Sequence, residues 1–229
     1  MKHTTLVVAL LLGACADDAS VVDIPGDSVG DVGDVGVNIQ GDGKRTTEAR
    51  VASGFQRVES DAVLPVKIAQ GAFRVAVSFD ANLVPFVKTE VLGDTLHISL
   101  DAPAGILSKI GGQVEVALPL LRSASTSGSG MTIAVTQSDA LDVSTHGNGD
   151  IALSGSAPSA RLLTDGNGSI EARDFSAATG EVRSEHNGSI RATFTNSVEA
   201  YLNGNGSIDL HGGAQVAQQD DGNGDITVH

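Results

Sequence analysis

From about residue 51 onward the chain alternates apolar and polar side chains. Val66-Lys67-Ile68, Phe73 to Phe79, Leu96 to Leu100 and Val114 to Leu118 each turn every second residue to the same face, the period of a strand buried on one side. Gly71, Gly93-Asp94 and Gly111-Gly112 interrupt these runs where turns are needed. No stretch carries the period of a helix, so the pattern predicts an all-β body.

The second half adds a repeat. The strings HGNGDI, DGNGSI, EHNGSI, NGNGSI and DGNGDI place Asn148, Asn167, Asn187, Asn205 and Asn223 at spacings of 19, 20, 18 and 18 residues. Aligned on the Asn, the third residue after it is Ile151, Ile170, Ile190, Ile208 or Ile226. The fifth after is Leu153, Ala172, Ala192, Leu210 or Val228, and the fifth before is Val143, Leu162, Val182, Ala200 or Gln218. The third and seventh before are also mostly small or apolar, from Thr145 and Leu141 onward. These columns should point inward, giving two strands per repeat joined by an Asn-Gly turn. At about 3.3 Å per strand residue, one repeat closes a coil of about 60 Å perimeter. Coils of 18–20 residues stacked in parallel form a β-helix-like solenoid. The turn glycines are expected to supply positive φ, with Asn tolerating the left-handed region. Stacked asparagines would form a structural ladder, each amide bonding to the amide above and below. A degraded copy, SGSGMTI from Ser127, puts Ser129 in the Asn place and leaves the register of the first coil ambiguous.

The N-terminal region is different. Lys2 and His3 precede an apolar run from Leu6 to Leu12 that is too short to span a bilayer. Leu12-Gly13-Ala14-Cys15 resembles the bacterial lipobox. That resemblance implies a signal peptide over 1–14, cleavage before Cys15, and lipid attachment to its thiol. It further implies, through Ala16, transfer to the outer membrane. Cys15 is the single cysteine, so no disulfide forms within the chain. Residues 15–48 are rich in Asp, Gly and Val without strand or helix period and read as an acidic flexible tether; a calcium-binding tract is the sharper alternative. The body is expected over 49–229 as one domain.

The Asn-Gly repeats, together with Val51-Ala-Ser-Gly-Phe-Gln-Arg-Val58 and Gly93-Asp-Thr-Leu-His-Ile-Ser-Leu100, resemble the head GIN domain family of autotransporter adhesins. The resemblance covers 49–229. It implies a single right-handed β-helix-like domain, on a lipoprotein stem in the cell envelope, with no catalytic residues. The chain departs from the pattern at Met131-Thr132.

Composition narrows the function. A net charge of −14 argues against nucleic acid as a partner, since phosphate binding needs a basic surface. Outward columns hold the remaining candidates. Arg161 should sit between Asp142 and Glu181, and Arg191 between Glu171 and Asp209, because stacked coils lie about 4.8 Å apart. The bland reading is a register-fixing charge ladder; the functional one is an anion or sugar groove. Asn167, Asn187 and Asn205 begin Asn-Gly-Ser sequons, but the turn already explains that triplet. GNGD is similar to a calcium-binding nonapeptide, yet only Asp150 and Asp225 supply the carboxylate. His97, His146, His186, His211 and His229 show no metal-ligand spacing, and no Gly-x-Ser-x-Gly elbow is present. The expectation is therefore a non-enzyme without cofactor or metal, binding the membrane through its lipid anchor and an unknown surface or envelope ligand. The alternative is a structural scaffold or partner subunit, including a homo-oligomer formed through a coil end.

Overall fold

The computed structural model describes residues 38–135 and 138–229. The expected signal peptide, Cys15 and most of the tether lie outside them. In chain order the strands are β1 (Ile39–Gln40), β2 (Arg45–Arg50), β3 (Arg57–Ser60), β4 (Val66–Gln70), β5 (Arg74–Asp80), β6 (Val87–Leu92), β7 (Thr95–Leu100), β8 (Ile106–Leu107) and β9 (Gln113–Leu118). They continue as β10 (Ser123–Thr126), β11 (Met131–Val135), β12 (Leu141–Thr145), β13 (Ile151–Gly166), β14 (Ile170–His186), β15 (Ser189–Gly204), β16 (Ser207–His211), β17 (Gln215–Asp220) and β18 (Asp225–Val228). One 3-10 turn, Val84–Phe86, interrupts the strands.

The architecture is an all-β parallel solenoid. One file of strands runs β9, β4, β11, then the first halves of β13, β14 and β15, then β16 and β18. The other runs β7, β3, β10, β12, the second halves of the same long strands, then β17. Every pairing in both files is parallel. The register follows the repeat, with Ile151 opposite Ile170, Ile170 opposite Ile190 and Ile190 opposite Ile208. Two expected strands per coil become one long strand in β13, β14 and β15, because the corner opposite the Asn-Gly turn bends through bulges. Between Ala172 and Ser176 the register shifts against Ala192 and Thr193, so the variation in repeat length is absorbed there.

Antiparallel strands complete the N-terminal end. β5 pairs with β9, β2 with β5, and β6 with β7. The tether expected over 15–48 therefore ends earlier, since β1 and β2 belong to the folded body. β2 escapes sequence reading because RTTEAR is exposed along nearly its whole length. Its place is set by backbone hydrogen bonds to β5, which leave no trace in side-chain periodicity.

The inward columns form one core. Val143, Leu162, Val182 and Ala200 are buried, as are Ile151, Ile170, Ile190 and Ile208. A second inward file is polar: Thr126, Thr145, Thr164 and Ser184 are almost wholly buried. Their hydroxyls close the turns. Thr145 Oγ1 donates to the Gly149 carbonyl at 2.7 Å, Ser184 Oγ to the Gly188 carbonyl at 2.6 Å, and Thr164 Oγ1 to Ser184 Oγ at 3.2 Å. Thr126 Oγ1 likewise donates to the Ser129 carbonyl at 2.8 Å, so each of these four hydroxyls has a partner.

The turn differs from the sequence expectation in two ways. Positive φ falls on the residue before the Asn, at Gly166, His186 and Gly204, rather than on the Asn or the glycine after it. The glycine after the Asn serves close approach: a Cβ on Gly206 would overlap the carbonyl oxygen of Gly188 in the coil beneath. The second correction concerns Ser129. Thr126 aligns with Thr145 while Met131 aligns with Ile151, so the first turn is one residue shorter than the others. Ser129 does not occupy the Asn place, and the asparagine file begins at Asn148.

Candidate functional site

The long sides of the solenoid carry the candidate groups. Asn167 Nδ2 donates to Asn148 Oδ1 at 2.9 Å, Asn187 to Asn167 at 2.9 Å, Asn205 to Asn187 at 3.0 Å and Asn223 to Asn205 at 3.2 Å. The amides form a single file along one edge. Asp150 lies beside it and accepts the Ser169 backbone N–H at 2.8 Å, so one of the two GNGD carboxylates is engaged in stacking.

On the outward face Arg161 lies 3.8 Å from Asp142 and 3.7 Å from Glu181. Arg191 lies 3.4 Å from Glu171 and 3.9 Å from Asp209. Both columns hold acid, base, acid in adjacent coils. Arg173 joins the second, at 3.5 Å from Glu171 and 3.4 Å from Asp209. Arg183 contacts Glu181 and Glu185 and stacks 5.0 Å over the Tyr201 ring. The first column borders a surface groove of about 480 Å³ that includes Arg57, Arg122, Ser159 and Arg161. Arg57 reaches Asp94 at 3.4 Å, so two of the three arginines lining the groove, Arg57 and Arg161, already face carboxylates.

Each of the five histidines of the body faces a carboxylate. His97 lies 3.2 Å from Glu59. His146 and His186 approach Asp165 from two coils, at 3.8 and 3.0 Å. The densest group is at the C-terminal end, where His211 Nε2 and His229 Nε2 lie 3.3 and 2.7 Å from the same oxygen, Asp209 Oδ1. The two imidazoles stack with centroids 4.5 Å apart and planes 6° from parallel. Burial pushes the Asp209 carboxyl up; His211, His229 and Arg173 outweigh it and hold it below the usual carboxylate range. Reading the chain for short metal-ligand spacings misses this group. His211 and His229 are 18 residues apart, one full coil, so each stands six places after its Asn and the register superimposes them.

Asp80 carries no signal in the sequence either. It is fully buried and accepts hydrogen bonds from Ser108 Oγ at 2.5 Å, the Gly43 N–H at 2.7 Å and the Lys109 N–H at 3.2 Å. Burial pushes its carboxyl up, but the Ser108, Gly43, Lys109 and Ile110 hydrogen bonds together hold it below its ordinary value. It ties the segment after β1 to the loop after β8.

These features define a repeat-built β-solenoid whose outer faces carry ordered files of polar side chains. A family model described as "Putative auto-transporter adhesin, head GIN domain" matches residues 54–214, and the chain belongs to that family. Among solved structures, it is similar to a putative adhesin from Bacteroides fragilis, at 24% identity and a TM-score of 0.67, covering 84% of this chain and 100% of that one. A putative lipid binding protein from Parabacteroides distasonis has 20% identity and a TM-score of 0.55, with the same coverage. A putative adhesin from Parabacteroides merdae has 19% identity and a TM-score of 0.52, over 84% of this chain and 99% of that one. At these identities the neighbours speak to the fold. A comparison with curated proteins returns no match.

Proposed function

We propose that this protein is a non-catalytic binding head of the bacterial cell envelope, of the adhesin type, displayed on a lipid-anchored stem that begins at Cys15. The observation that carries the reading is family membership across nearly all of the folded body. The site geometry agrees with it. The outward arginines of the two columns face carboxylates in neighbouring coils, which makes them poor substrate clamps, whereas a long solenoid face suits an extended partner. Protease added to whole cells tests the placement. Digestion of the body on intact cells is the expected outcome; protection until the outer membrane is permeabilised would reject an outward-facing adhesin.

A second reading, a scaffold subunit of the envelope, is favoured by the terminal coil. Among the described residues β17 pairs with β15 alone and β18 with β16 alone, so each presents an outer backbone edge able to pair with another chain. Protection from external protease together with a defined oligomer in solution would select this reading over the first.

A further inference from the structure

The geometry points to a site for one divalent transition-metal ion of the zinc class, held by Asp209, His211 and His229 at the C-terminal end of the solenoid. Asp209 and His211 are two places apart on β16 and so project from the same face. His229 is added by the next coil, where its N–H donates to the Leu210 carbonyl at 2.9 Å. One carboxylate oxygen and two imidazole nitrogens thus gather with all three atoms within 4.8 Å of one another. Zinc bonds of about 2.0–2.1 Å in a tetrahedral site place donor atoms about 3.3 Å apart. The distances from Asp209 Oδ1 to His211 Nε2 and His229 Nε2 are 3.3 and 2.7 Å, at and below that value, and a turn of the exposed His229 ring out of its stack on His211 lets both nitrogens face one ion.

Two further observations bear on the site. Asp209 Oδ1 and His211 Nε2 are atoms shielded from solvent, and among the described residues Oδ1 meets only the two imidazole nitrogens, at 3.3 and 2.7 Å. An ion at that point would replace these ion-pair contacts with coordination bonds. The other carboxylate oxygen, Oδ2, is engaged by Arg173 at 3.4 Å and Arg191 at 3.9 Å. These guanidiniums orient the carboxylate so that Oδ1 faces the imidazoles, the positioning that outer groups give to metal ligands. Both arginines are also paired with Glu171, which offsets their repulsion of a cation. Two nitrogens and one oxygen suit zinc, copper or nickel better than calcium or magnesium, which prefer all-oxygen sets. Three protein ligands leave a position for water or for a donor from another molecule.

The test uses the full chain without a polyhistidine tag. Zinc chloride is titrated calorimetrically, and cobalt(II) is followed by its visible absorption as a second readout of coordination. One ion per chain is expected. His211→Gln and His229→Gln should each weaken binding about tenfold or more, an effect of the size seen even for outer-shell groups. His97→Gln, beside Glu59, should leave binding unchanged. Circular dichroism of each variant separates ligand loss from unfolding, and the exposed position of His229 makes His229→Gln the decisive variant. Absence of zinc uptake by the folded chain would overturn the site, as would uptake that persists undiminished in both histidine variants.

Discussion

At the residue scale, stability rests on side chains that serve the backbone. Asn167 and Asn187 each bond to an amide on both sides, whereas Asn223 bonds to one. Replacing Asn167 or Asn187 with Ala should cost about 1–2 kcal/mol through lost turn bonds and unpaired neighbours. Asn223→Ala should cost less. Denaturant melts check the order, and equal negligible costs would contradict a structural role for the file. Asp80 gives a pH signature. Its carboxyl is held below its ordinary value, so the folded state releases this proton more readily than the unfolded chain. That contribution is complete above the unfolded value of about 4 and is lost as the pH falls through the lower folded value. Asp80→Asn should therefore flatten the acid limb of the stability profile while lowering stability at neutral pH. An unchanged acid limb would show that the buried hydrogen bonds to Ser108, Gly43 and Lys109 carry no charge-dependent stabilisation.

At the element scale, the coils are held in register by columns rather than by any one strand. Arg161 lies opposite Asp142 on one side and Glu181 on the other. Its side chain is about half exposed, at 48%, so solvent screens the pair energies and each is worth roughly 0.2–1 kcal/mol. Arg161→Glu should lower stability by about that range, and adding Glu181→Arg should restore part of the loss. A double-mutant cycle measures the coupling; zero coupling would mean that the long guanidinium contacts are idle at the surface. The glycine after each Asn works differently. It acts by absence, letting one coil's carbonyl approach the next, as the overlap at Gly206 shows.

At the scale of the whole molecule, function depends on where the solenoid is held. The proposed anchor at Cys15 would carry acyl chains, each buried CH₂ worth about 0.8 kcal/mol. Cys15→Ser should move the protein from the membrane to the soluble fraction or leave the precursor uncut. Correctly cleaved protein that still partitions with the membrane would refute the lipid anchor and leave the folded body's assignment untouched.

The sequence by itself determined the solenoid. A repeat of 18–20 residues with fixed apolar columns has one economical packing, coil upon coil, and that stacking also brings Arg161 and Arg191 to their carboxylates. The head GIN resemblance was legible for the same reason, since its motifs are turn and column residues. Other features needed the tertiary structure. β2 is exposed along nearly its whole length and has no buried apolar column, so only its backbone pairing with β5 reveals it. The short first turn, which removes Ser129 from the asparagine file, became visible only when both flanking strands were paired. Asp80 reads as the polar end of a strand until the fold encloses it with backbone donors from distant segments. His229 is a whole coil away along the chain from Asp209 and His211, and the parallel stack places the three around one point because residues one repeat apart become nearest neighbours in space.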